Sequence, residues 1–135
     1  MTRVTGFASI LALLLVQGCA SIGGVAVSGA ASDSVISALG GGLIGGKVGR
    51  DLPSGDRRLA LQAEYRALEY GQGGQVIPWN SSNGANRGEV VAAQPYRVGS
   101  QDCRQYVHTL FTANASQSAR GTACRNPDGS WSLLG

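Results

Sequence analysis

The chain holds one histidine among 135 residues and few aromatics. A lone histidine, His108, excludes a histidine-based metal site and leaves at most one histidine proton shuttle. Nowhere do His, Ser, Cys and carboxylates assemble into a catalytic constellation, so the sequence predicts no enzyme, cofactor or metal. Charge of one sign is never concentrated. The net charge is only +3, and the scattered arginines form no run, which argues against a nucleic-acid partner. Scarce aromatics and abundant glycine instead point to a small core beside a flexible or membrane-packed segment.

The one sustained apolar run is short. Residues 7–16 follow the positive Arg3, within the roughly 7–15 residues of a secretory signal and below the roughly 20 of a transmembrane helix. The run ends on Leu13-Leu14-Leu15-Val16-Gln17-Gly18-Cys19, a small residue before a thiol, which is the chemistry of a lipobox. The sequence therefore predicts a cleaved lipoprotein signal peptide over 1–18, a lipidated (palmitate-type) tether over 19–34, and acyl chains on Cys19 as the partner of the outer-membrane lipid. Ala20 favours the outer membrane by the common sorting rule, with the periplasmic or surface face open.

Residues 35–52 change character. Gly41, Gly45 and Gly49 recur every fourth residue, with Gly42 and Gly46 one step on. On a helix this is a bare strip for close backbone approach in lipid, so a glycine-zipper segment is expected, membrane-associated and suited to self-association. In water each such glycine would cost about 1 kcal/mol relative to alanine. Residues 35–48 as a helix reach only about 21 Å, short of the roughly 30 Å hydrocarbon core, so a shallow, hairpin-like or oligomeric insertion is expected. A glycine-rich linker is the alternative.

Residues 53–135 read as one α+β domain, a single helix on a small antiparallel sheet. The helix spans residues 52–70, opened by Pro53 and Asp56 and closed by Gly71. Arg58, Gln62, Arg66 and Glu69 make its polar stripe, while Leu61, Tyr65, Leu68, Ala60, Ala63 and Ala67 make its apolar face. Glu64 falls inside the apolar arc and is expected to reach an arginine at the core edge. Strands are expected at 75–79, 88–92, 96–98, 103–111, 116–125 and 130–134, with turns at Asn83-Gly84 and at residues 126–129. His108 alternates with Tyr106 and Leu110 on one strand face and is read as structural, and Trp79 and Trp131 as core residues.

The midpoint of Cys103 and Cys124 falls at Ala113-Asn114. A two-residue hairpin loop there sets the cysteines directly opposite each other, close enough for a disulfide in an oxidising envelope. Two buried free thiols are the alternative.

These pieces together resemble the rickettsial 17-kilodalton surface antigen and related proteobacterial outer-membrane lipoproteins. The resemblance rests on the lipobox at Cys19, the glycines 41–49, Asp56-Arg57-Arg58, Ala67-Leu68-Glu69, Cys103-Arg104, Gly121-Thr122-Ala123-Cys124-Arg125 and Pro127-Asp128-Gly129-Ser130-Trp131. It implies a lipid-anchored outer-membrane protein of the surface-antigen type, with no catalytic role and a part in envelope organisation. A periplasmic protein-binding module or an envelope-enzyme inhibitor is the competing expectation, and an exposed tryptophan beside a cleft would favour it.

Overall fold

A computed structural model describes residues 37–135. The signal peptide, Cys19 and the tether lie outside the described residues. One helix, α1 (Ser54–Glu69), lies across a six-stranded antiparallel sheet. The strands are β1 (Val76–Asn80), β2 (Arg87–Ala92), β3 (Tyr96–Val98), β4 (Gln101–Phe111), β5 (Ser116–Arg125) and β6 (Trp131–Leu133).

The sheet runs β1-β2-β4-β5-β6, and β3 continues along the β2 side of β4. Pro95 separates β2 from β3, because proline brings no N–H to the ladder. The β4–β5 hairpin has the register expected from the cysteines. Phe111 faces Ser116, Thr112 N–H bonds Ala115 O at 2.9 Å, and Cys103 faces Cys124. The disulfide Cys103–Cys124 is present, with Cα atoms 4.0 Å apart. Gly84 and Gly129 take φ of 73° and 87° in the two expected turns, a region that glycine enters without a Cβ penalty.

Register alone left open which face of β4 is covered, and the structure decides it. Arg104, Tyr106, His108 and Leu110 point under the helix, where they join Leu61, Leu68, Trp79, Val90 and Ala92 in the buried interior. The alanines of α1 sit flat on this layer. Ala60, Ala63 and Ala67 have no exposed surface, so the helix axis approaches the sheet closely.

Helix α1 lies over β1, β2 and β4, reaches the end of β5 at Arg125, and leaves Gly121 of β5 to another segment. That segment is the glycine-rich stretch. Where a helix was expected over 35–48, residues 37–39 are helical and the chain leaves the helix at Gly40. Gly40, Gly41, Gly42 and Gly49 have φ of 57°, 98°, 58° and 87°, and only Leu43–Gly45 forms a single 3-10 turn. Gly41, Gly45 and Gly49, with Gly42 and Gly46, therefore line no common helical face in this fold. Leu39, Ile44 and Leu52 are buried in the same core as the helix and sheet, so residues 39–52 pack as part of the domain that was expected to begin at 53. Leu43 sits against Gly121 of β5, where a Cβ would come within 2.8 Å of its Cδ2.

Candidate functional site

The most unusual chemistry in the fold is a carboxylate with no access to water. Glu64 is wholly buried on α1. It does not reach an arginine, as its place in the apolar arc suggested, but meets four donors from two other elements. Leu43 N–H donates to Oε2 at 2.9 Å and Ile44 N–H to Oε1 at 3.0 Å. Tyr106 Oη–H donates to Oε2 at 3.0 Å, and His108 Nδ1 lies 2.8 Å from Oε1. A buried carboxylate is tolerated only when its lone pairs are satisfied, and here each oxygen takes two bonds. The ionised form is the one these donors fit, since a proton on either oxygen would face a donor.

A fifth group fixes the proton on the histidine. Trp79 Nε1–H lies 2.8 Å from His108 Nε2. Indole nitrogen can only donate, so Nε2 must accept and the ring is the neutral Nδ1–H tautomer. The contact between His108 and Glu64 is thus a hydrogen bond from an uncharged ring. Burial, then the charge of Glu64, pushes the Tyr106 hydroxyl far above its ordinary value, which keeps its proton available to donate.

Glycine makes room for this cluster at two points. A Cβ on Gly42 would strike the Glu64 carboxylate, and a Cβ on Gly88, opposite Trp79 in the register, would strike the indole nitrogen. Successive N–H groups turned onto one anion after glycines of positive φ form a backbone nest. The helical spacing of the glycines concealed this use.

Three further polar groups clasp the ends of α1, two at its C-terminus and one at its N-terminus. Arg104 is buried, with Nη1 donating to Ala67 O and Leu68 O at 3.0 and 2.9 Å and Nε to Ala93 O at 2.8 Å. It caps the last turn of the helix, bonding Leu68 O and sharing Ala67 O with the Gly71 N–H. Burial pulls the guanidinium pKa below the ordinary arginine value. Glu69 accepts Arg125 Nε and Nη2 at 3.0 Å each and Trp131 Nε1–H at 2.8 Å, tying the last helical turn to β5 and β6. At the other end Asp56 accepts Asn86 Nδ2 at 2.8 Å.

Of the residues singled out in the sequence, the structure brings together Cys103 with Cys124, and His108 with Tyr106 and Glu64. Trp79 and Trp131 are both core residues, each spending its indole N–H on a buried or half-buried partner. Sequence reasoning singled out Glu64 but not its partners in the nest at residues 42–44, and it missed the helix-capping role of Arg104. A carboxylate in an apolar arc, with Tyr106 and His108 two apart on a strand, was the available signal. Among the described residues, no group of three His, Cys, Asp or Glu could hold a metal ion, and no helix is long and apolar enough to cross a membrane.

The fold and this cluster define a small α+β domain built around a closed polar core, with a glycine-rich segment folded into it. A family model described as 17 kDa outer membrane surface antigen matches residues 66–132. The 17 kDa surface antigen of Rickettsia bellii (strain RML369-C) is 30% identical over 150 residues, covering 93% of this chain and 93% of its own length. That of Rickettsia conorii (strain ATCC VR-613 / Malish 7) is 39% identical over 80 residues, covering 58% of this chain and 50% of its own. The Rickettsia prowazekii (strain Madrid E) protein is 38% identical over 80 residues. The chain belongs to the 17 kDa surface antigen family. No solved structure matches it.

Proposed function

We propose that this chain is a lipid-anchored outer-membrane lipoprotein whose folded domain is structural, contributing to the organisation of the envelope. Membership of a family described as outer membrane surface antigens supports the location. The lipobox ending at Cys19 supports the anchor, and two or three acyl chains there would supply the multiple signals that stable anchoring needs.

One observation carries the structural reading of the domain. The pair that most resembles acid–base machinery, Glu64 and His108, is sealed: both side chains are wholly buried. The nitrogen that would act as base, His108 Nε2, is occupied by the Trp79 N–H. A general base must lie within reach of the proton it takes, and this one has no free lone pair and no path to substrate. Trp79 and Trp131, whose exposure beside a cleft would have favoured a docking module, are both buried.

Intact-mass measurement of protein purified from envelopes tests the anchor. The expected species begins at Cys19 and carries a diacylglyceryl group with or without an N-acyl chain, and Cys19→Ser abolishes it. A mature chain with a free Cys19 thiol, or one retaining residues 1–18, overturns the reading.

A further inference from the structure

Docked on the domain, residues 40–49 spend two backbone donors that a helix in lipid would need for itself. In the folded domain the Leu43 and Ile44 N–H groups are taken by the Glu64 carboxylate at 2.9 and 3.0 Å. In a bilayer helix the same two N–H groups would be taken by carbonyls four residues earlier, since lipid offers no other acceptor. Either arrangement satisfies them, and each excludes the other. The apolar side chains are shared in the same way. Within residues 40–49, Ile44 is buried against the domain and Leu43 is half-buried on Gly121, both suit hydrocarbon equally well, and the exposed Lys47 can keep its charge at the headgroups.

We infer that residues 40–49 are a releasable strap latched by Glu64, and that docking on the domain competes with seating of this strap in lipid. The inference rests on the membrane-anchored reading above. Glycines at both ends supply the pivots. Gly40, Gly41 and Gly42 precede the latch and Gly49 follows it, all at positive φ, where a change of backbone state costs glycine least.

The latch is strong because it is complete. Glu64 has four donors, two of them from the strap, and Gly42 can have no side chain without striking it. It is releasable because the other two donors belong to the sheet. When the strap leaves, Tyr106 and His108 still hold the carboxylate, and water enters where Leu43 and Ile44 N–H had been. Helix α1 and the disulfide-closed hairpin keep their own pairing.

The test uses the full chain carrying Cys19→Ser, so that acylation plays no part, with Glu64→Gln added. The carboxamide places an N–H donor against donors and cannot serve both backbone groups. Amide hydrogen exchange at Leu43 and Ile44 is expected to quicken by at least about tenfold while the β4–β5 amides keep their protection. The fraction of protein floating with phosphatidylcholine vesicles is expected to rise several-fold. Gly42→Ala, which opens the latch by collision and leaves the carboxylate intact, is expected to do the same and serves if Glu64→Gln fails to fold. Unchanged exchange at residues 43 and 44, equal loss of protection in strap and hairpin, or faster exchange without more vesicle binding each overturns the inference. Because this chain is never acylated, the result is separate from the intact-mass test of Cys19.

Discussion

Trp79 Nε1–H donates to His108 Nε2 across 2.8 Å, and that bond sets the direction of the bond from His108 to Glu64. Indole can only give, so the imidazole must accept there and give at Nδ1 to the carboxylate. Removing the first donor should therefore be felt at the ring. Trp79→Phe removes the donor with part of the indole bulk and leaves a buried acceptor without a partner, which costs about 1–3 kcal/mol, with the cavity in addition. Urea unfolding checks this. A loss below about 0.5 kcal/mol, the level of an ordinary surface change, would mean that the bond does not organise the cluster.

The nest and the helical strip make opposite demands on the glycines. Gly42 has φ of 58° and no space beyond its Cα, whereas Gly45 has open space and no positive φ. Gly42→Ala should destabilise the domain by roughly 1–3 kcal/mol from backbone strain alone, with the collision in addition. Gly45→Ala should stay within about 0.5 kcal/mol of the parent. Thermal or urea unfolding of the two variants side by side decides it. Equal sensitivity at both positions would favour a face of regularly spaced glycines.

Glu69 gives the domain a defined acid response. The Arg125 guanidinium bonded to it, with a smaller contribution from the Trp131 N–H, holds its carboxyl below the ordinary value of 4.5, against the opposing effect of burial. Folding thus favours the ionised form. The contribution is fully present above about pH 4.5 and disappears as the pH falls through the lower folded-state value. Glu69→Gln should lower stability near neutral pH, and its deficit should narrow as the pH drops below 4.5. A deficit independent of pH in denaturation curves would show that the ion pair contributes nothing to the difference.

Arg104 joins the end of α1 to the loop after β2 through three carbonyls. Lysine brings the charge without the planar fork. Arg104→Lys should cost roughly 1.5–3 kcal/mol, the scale of a lost hydrogen bond to a charged group. Faster amide exchange at Tyr70 and Gly71, whose N–H groups bond Arg66 O and Ala67 O, should accompany it. Unchanged exchange at both would place the helix end's stability elsewhere.

The disulfide should act as a staple. Replacing Cys103 and Cys124 together by serine should lower stability by about 2–5 kcal/mol, as in small secreted domains, while the circular dichroism of the sheet persists. Alkylation of the native protein under denaturing, non-reducing conditions should label neither cysteine. Labelling of both would show that the bridge does not form in the envelope.

Sequence alone determined much of the sheet. Strand limits, the two glycine turns and the β4–β5 register follow from alternation and turn chemistry, which act over a few residues. The register could be read from the midpoint of two cysteines because a two-residue loop leaves no freedom in which residues face each other. The buried face of β4 was not legible, since both faces carry apolar residues and only the arrival of α1 chooses between them. Nor was the form of residues 40–49. Glycine accepts a helix and a positive-φ nest alike, so its spacing is a permission, not an instruction. The decision was made by Glu64, twenty or more residues away along the chain, and by Tyr106 and His108, more than forty beyond it. A buried carboxylate must find donors, and only the tertiary fold could bring these four to one place.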